Sequence, residues 1–595
     1  MQKIACLILC VIPILTLTIG CESVNKQADS PPNVILILTD DQGIGDLGCH
    51  GNPWLLTPNI DEFYQEAMRM TDFHVSPLCT PSRSAIMTGC YPLNNGAWAT
   101  YKGRDALAEA STTIAKVFQQ NGYETAMFGK WHLGDNYPNR PTDHGFDVAI
   151  QHLGGGVGEL SDYWGNSYFD DIYFVNNQPK QFEGYCTDVW FEEAMSFIKQ
   201  KKDKPFFVYL PTNAPHDPLI VAEKYAAPYR HLEGDKIISA NLYGMIANID
   251  ENFGKFRQFL RETGLEENTI LIYMSDNGTR FGYSPQGDLG YNKGFEGIKG
   301  SMREGGHRVP FFIRWPKGKI QGGKDLNTLA AHVDLFPTLA KLCGLSIPET
   351  AQLDGTDISK VLQQETNLQK RVIFSHTRQD WRPPDSIINT CIMNDDWRLI
   401  NGSQLYNIAE DLKQENNLAD KYPQLVEELL SENAKFFRQA MENRAYQALP
   451  ASVIGHPAQK EICLTIQHAI GEDRGIWKCE QIAAGIKNKN DTHALAIEQA
   501  GWYEISCCRW PKECPGPIWG IPAHNPKDLF VYQTIRPEKA TIRIANQILE
   551  KKIDGSQNAV SFKVYLEKGK SLLTNDFIEG DETYGVYYTY IKRLE

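Results

Sequence analysis

The chain has 595 residues, 42% of them hydrophobic and 22% charged, with a formal net charge of −14. That length exceeds what one hydrophobic core organises and predicts several domains. The acidic balance excludes nucleic acid as the main partner, because a phosphate backbone selects a basic face. A polyanion stays compatible where local Lys, Arg or metal charge overrides the average field.

Met1–Lys3 is short and basic, and the apolar run "IACLILCVIPILTLTIG" follows it. Pro13 argues against a stable membrane span, so residues 1–20 read as an export signal. The ending "LTIGC" resembles a bacterial lipoprotein box, with Cys21 lipidated and residues 21–32 forming a tether. The expected location is periplasmic or cell-surface, with the membrane reached through a lipid anchor. Of 14 cysteines, Cys6 and Cys10 would leave with the signal and Cys21 would carry lipid, so eleven remain. No CxxC pair or Cys/His cluster occurs, which argues against zinc. An odd count leaves at least one thiol unpaired.

"NVILILT" (33–39) has the length and continuous apolarity of a strand buried on both faces of a parallel sheet. It ends in Asp40 and Asp41. "ETAMFGKWHLG" (124–134) ends in Lys130 and His132, "PFFVYLPTNAPHDP" (205–218) ends in His216, and "NTILIYMSDNG" (268–278) ends in Asp276 and Asn277. Helix-like segments (111–122, 189–202) lie between these runs. The alternation predicts an α/β domain with a mostly parallel sheet, whose ligands sit beyond the carboxyl ends of the strands. Every reactive group named above lies at such an end.

"AAHVDLFPTLAKLCG" (330–344) reads as a helix. Short strands "RVIFSH", "WRLING" and "QLYNI" and the helix "PQLVEELLSENAKFFRQAMENR" (423–444) then predict a small antiparallel subdomain over 366–450. From 451 to 595 the short runs "EICLTIQ", "GWYEISCCRW", "KDLFVYQTI", "KATIRIANQIL", "AVSFKVYL" and "GVYYTYIKR" predict an accessory all-β module, a sandwich. The catalytic unit would be residues 33–365.

Asp40, Asp41, Asp276 and Asn277 are hard oxygen ligands of the kind Ca²⁺ or Mg²⁺ takes. Either pair alone is also an ordinary solvated turn. Two pairs at the ends of separate apolar strands favour a metal. Lys130, His132, His216 and Lys299 suit an oxyanion and proton transfer near neutral pH.

Cys79-Thr80-Pro81-Ser82-Arg83, followed by Thr88-Gly89, resembles the signature of the type I sulfatases, within the alkaline-phosphatase-like superfamily. DDQG, GKWH, APH and SDNG accompany it in family order, so the resemblance covers about residues 33–445. Cys90 departs from the Arg that the family usually places after Thr-Gly. The resemblance implies that a separate maturase oxidises Cys79 to formylglycine. One hydroxyl of the hydrated aldehyde would attack sulfur, and loss of a proton from the second would expel sulfate. It further implies one Ca²⁺ held by Asp40, Asp41, Asp276, Asn277 and residue 79. Arg83 would support the diol, and Lys130 and Lys299 would neutralise sulfate. His216 would protonate the leaving oxygen, and His132 would take the second hydroxyl's proton.

The loop "HLGGGVGELSDYWGNSYFDD" (152–171) is a candidate substrate rim, through Tyr163, Trp164, Asn166, Asp170 and Asp171, though it also reads as a structural Ω-loop. "HTRQDWRPP" (376–384) adds Arg378, Trp381 and Arg382. The expected substrate is a sulfated glycan, with small aryl sulfates cleaved incidentally. Two alternatives are a phosphodiesterase or phosphonate monoester hydrolase of the same superfamily, and a surface glycan-binding lipoprotein without turnover. Trp477, Trp502, Trp510 and Trp519 of the β module read as core or interdomain packing before a sugar platform.

Overall fold

The computed structural model describes residues 30–108, 111–472, 476–487, 492–523 and 530–594. Residues 1–20, expected to be an export signal, and Cys21 lie outside these. The strand Asn33–Thr39 is buried along its whole length. It is central, pairing in parallel with Thr269–Ser275 on one side and Phe206–Pro211 on the other. Outward from Phe206–Pro211 come Glu124–Lys130 and Val148–His152, both parallel, then the antiparallel Ile172–Val175 and Gln178–Gln181. Outward from Thr269–Ser275 come Phe311–Arg314, Met68–Met70 and Lys324–Leu326, completing a ten-stranded sheet.

Successive side chains of a strand face opposite ways. Val34, Leu36 and Leu38 therefore enter one core, with Ile86 and Met87 of the helix Cys79–Thr88. Ile35 and Ile37 enter the other, with Phe191 of Cys186–Lys201 and Phe253 of Ala240–Glu262. Continuous apolarity is thus what burial on both faces requires.

The small subdomain is a four-stranded antiparallel sheet, Val372–His376, Thr390–Asn394, Trp397–Ile400 and Gln404–Asn407, backed by the helix Pro423–Glu442. Beyond residue 451, two sheets share one core. Ile454, Leu495, Ile542 and Phe577 enter from one, and Ile462, Ile505, Phe562 and Val564 from the other. That is the sandwich arrangement expected. The run "KATIRIANQIL" is a hairpin, Lys539–Ile544 with Gln547–Lys552, turned by Ala545 and Asn546 at φ 49° and 62°, as a two-residue primed turn requires.

One expectation is corrected. "KDLFVYQTI" is no strand over its described residues 530–535. Phe530 and Tyr532 pack instead against Trp164 and Trp510. All eleven cysteines from Cys49 to Cys514 are free, in keeping with an odd count that leaves at least one unpaired. Among the described residues, no helix is long and apolar enough to cross a membrane.

A buried ionic cluster ties the small subdomain to the ten-stranded sheet. Arg398 has no exposed side chain and donates to Glu304 (2.7 Å) and Asp72 (2.8 Å). Burial opposes charge on Glu304, but Arg308 and Arg398 hold its carboxyl well below the usual range. The stabilisation from such a lowered group is present above the ordinary carboxylate pKa and is lost as pH falls through the lowered one. Arg398→Met should destabilise the fold by about 3–5 kcal/mol, because removal of one partner strands a buried charge. Calorimetry at neutral pH should show a lowered Tm for the transition that includes the small subdomain.

Candidate active site

Two neighbouring parallel strands deliver the acids. Asp40 and Asp41 follow Thr39, and Asp276 and Asn277 follow Ser275, so the strand pairing sets all four side by side. Asp41 sits at φ 66°, a left-handed conformation that Asp tolerates. The backbone N–H of Asp41 donates to Asp276 Oδ1 (3.2 Å), and Asn277 Nδ2 donates to Asp41 Oδ1 (2.8 Å). All four are at most 1% exposed.

Cys79 opens the helix Cys79–Thr88, whose ten residues are all buried. The partial positive charge of that helix start faces the acids. The helix ends at Gly89, φ 66°. Beside it Cys90 Sγ donates to Gln352 O (2.7 Å). One turn into the helix, Arg83 donates to Asp276 Oδ2 through Nε (3.0 Å) and Nη2 (2.7 Å), and to Lys130 O through Nη1 (2.8 Å). Lys130 Nζ donates to Asp40 Oδ2 (2.7 Å), and Lys299 Nζ to Asp41 Oδ2 (2.9 Å).

His132 stands 3.3 Å from Cys79 Sγ through Nδ1. Its Nε2 lies 3.1 Å from the carbonyl of Thr100. A carbonyl only accepts, so Nε2 carries the proton and Nδ1 presents a lone pair to residue 79. Burial, with Lys130 and Arg83 nearby, holds the His132 pKa well below that of a free imidazole, so the ring is neutral. His216 is fixed by Nδ1 on Asp217 O (2.7 Å), and its Nε2 stands 3.8 Å from Asp41 Oδ2.

The charges form one coupled set. Burial opposes ionisation of Asp40, but Lys130, His216, Arg83 and Lys299 hold it far below the usual range. Burial, with the charge of Asp40 beside it, pushes Asp276 up to about 6 against Arg83. Burial also raises the Cys79 thiol, so it is no ready thiolate.

The acids fit a hard divalent cation. Asp40 Oδ1 and Asn277 Oδ1 are buried with no hydrogen-bond donor. Ligand atoms of Asp40, Asp41 and His216 lie within 4.8 Å of one another. Buried oxygens without donors are what oxygen coordination would satisfy.

The structure therefore gathers Asp40, Asp41, Cys79, Arg83, Lys130, His132, His216, Asp276, Asn277 and Lys299 into one site. The rim candidates scatter. Trp164 sets its ring edge-on to Trp510 of the β module, centroids 5.5 Å apart. Asn166 bonds Asp162 and Ile172, and Asp171 accepts from Ser167 N and Tyr168 N, so both are used within their own loop. Asp170 accepts from Gly184 N, and Tyr163 lies against Phe174. Arg378 donates to Pro383 O. Arg382 pairs with Asp380 and Glu472, its guanidinium 5.8 Å from the Trp381 ring centre. In the module, Trp510 is 2% exposed, Trp519 packs against the core and Trp477 lies on Tyr101 (4.4 Å), whereas Trp502 is 48% exposed.

Sequence reasoning missed Gly155 and Glu159. A Cβ on Gly155 would stand 2.4 Å from His132 Cε1, and one on Gly156 would stand 3.3 Å from His216 Cε1. The "GGG" run is thus a wall against both His132 and His216. Glu159 accepts from Gly155 N (3.1 Å), which closes the turn. The acidic residue three places after the triple glycine was the available signal.

Comparison with known proteins agrees with this geometry. Residues 32–345 match the sulfatase family, and residues 295–439 match the C-terminal region of N-sulphoglucosamine sulphohydrolase. N-acetylgalactosamine-6-sulfatase of Canis lupus familiaris is 32% identical over 358 residues, covering 56% of this chain and 66% of that protein. The Homo sapiens protein of the same name is 31% identical, over 58% of this chain and 68% of its own length. The crystal structure of Ps i-CgsB in complex with k-i-k-neocarrahexaose superposes with a TM-score of 0.62 at 28% identity, covering 71% of this chain and 96% of that one. The chain belongs to the sulfatase family, whose members are sulfuric ester hydrolases.

Proposed function

We propose that this chain hydrolyses O-sulfate esters of glycans, using residue 79 as formylglycine and one Ca²⁺. The observation that carries the reading is the position of Cys79: at a buried helix start, 3.3 Å from a neutral His132 and beside two lysines on two carboxylates. An unmodified thiol whose pKa is raised by burial is poorly suited to nucleophilic attack there. Formylglycine supplies, as its hydrate, two hydroxyls for covalent catalysis. Ca²⁺, held by Asp40, Asp41, Asp276 and Asn277, supplies positive charge for the sulfate oxygens.

The chain's own groups do the rest. Arg83 bridges Asp276 and the carbonyl of Lys130, and so holds the nucleophile's helix against the acids. Lys130 and Lys299 offset the negative charge of the bound sulfate. His132 Nδ1 accepts a proton from residue 79. His216 hands a proton from Nε2 to the leaving oxygen, its Nδ1 being committed to Asp217 O. That transfer matters most for a sugar, whose alkoxide is a poor leaving group.

The glycan reading is supported by relatives named N-acetylgalactosamine-6-sulfatase and by a neighbour crystallised with k-i-k-neocarrahexaose. The N-terminal signal and Cys21 support an exported, lipid-anchored enzyme matured by a formylglycine-generating partner.

Mass spectrometry of protein made with a maturase should find the Cys79 peptide about 18 Da lighter than its thiol form, by the chemistry of that conversion. Cys79→Ala should lower sulfate release by more than about a thousandfold, as loss of a covalent nucleophile does; turnover near the parent rate would sink the reading. His216→Ala should cost about 10²–10⁴-fold on sugar sulfates and much less on nitrophenyl sulfate, whose leaving group needs no proton. Ca²⁺ added to metal-stripped protein should raise its Tm, by about 2.7 kcal/mol of stability at a hundredfold excess over Kd. Asp41→Ala should abolish that shift.

A further inference from the structure

Beside His216, at the mouth of the site, Asp217 holds two cations from different parts of the fold. Arg280 Nε stands 3.7 Å from Oδ1, and Lys478 Nζ, from the β module, stands 3.4 Å from Oδ2. Both cations are about half exposed, at 51% and 48%, whereas Asp217 is 22% exposed. One carboxylate against two cations leaves a local positive charge on a chain whose formal net charge is −14.

A structural ion pair explains this poorly, since exposed pairs contribute only about 0–1 kcal/mol. A guanidinium has five donors and an ammonium three, and the contacts with Asp217 engage only a minority of them on side chains that are about half exposed. Nor is Lys478 loosely placed. Its backbone bridges to Glu159, and Leu160 N donates to Trp477 O (3.0 Å). The module therefore fixes Lys478 to the glycine loop that walls His132 and His216.

We propose that Arg280 and Lys478 form a subsite for a second anionic group, a carboxylate or another sulfate, on the glycan that carries the scissile sulfate. This rests on the sulfatase reading above. Asp217 holds the two cations side by side next to His216, and each would donate charge-assisted hydrogen bonds to the incoming anion. The β module is then part of the substrate site.

The test uses the matured full-length enzyme and three disaccharides: one neutral and singly sulfated, the same with a second sulfate, and the same with a uronate. For the wild type, kcat/KM should be higher on a doubly anionic substrate than on the singly sulfated one, and added salt should narrow the gap. In Lys478→Ala and in Arg280→Ala that ratio should fall about tenfold, mostly through KM, as loss of a charge-assisted contact predicts. A ratio lost for the disulfated sugar alone assigns the subsite to sulfate, and one lost for the uronate alone assigns it to carboxylate. Because each ratio is internal to one protein, a variant of reduced stability still reports. A ratio unmoved in both variants overturns the subsite and leaves the sulfatase reading standing. No sulfate release by the wild type from any of the three sugars would overturn the reading and the subsite together.

Discussion

The site depends on one guanidinium with no contact to solvent. Arg83 pairs with Asp276 and approaches Asp40 at 3.7 Å, with all three side chains at 0% exposure. Burying such charges is costly, and they persist only where each is paired and hydrogen-bonded. Arg83 meets that condition by joining three elements: the helix of Cys79, the strand end at Asp276 and the carbonyl of Lys130. Its presence fixes the helix of Cys79 relative to the sheet. The lysines repeat the pattern, each on its own carboxylate, so the charged groups of the pocket hold one another in place.

Around that centre the walls come from distant parts of the chain. The glycine run at 154–156 lies on the histidines, and the loop containing it is held by the β module through Leu160, Cys479 and Tyr588. Trp164 is the packed contact between loop and module. The small subdomain enters from another side, where Gln379 binds Thr100, whose carbonyl sets the tautomer of His132. All three structural regions therefore bear on two histidines, and the sandwich is a structural participant in the site.

The α/β unit was legible because its signals are local. "NVILILT" and "NTILIYMS" are buried on both faces, and that demands unbroken apolarity. The sandwich hairpin at 545–546 was hidden inside one long β-rich run, since two left-handed residues without glycine leave little trace. The strand Thr390–Asn394 was missed because "TCIMN" has no alternation to betray it. "KDLFVYQTI" has strand composition, but its aromatic rings find partners in the interdomain core, and packing outweighs β-propensity there.

The sequence by itself determined the centre of the site: two acids at one strand end, an acid and an amide at a second, a lysine and a histidine at a third, and a cysteine four residues ahead of an arginine. Strand ends in a parallel sheet converge, so order along the chain translates into proximity. The tertiary structure alone decided the rim. Whether Trp164 faces sugar or Trp510, and whether Lys478 reaches Asp217 across 261 positions, depends on how separately folded units pack. Such long-range contacts leave no periodicity in the chain, because nothing local requires them.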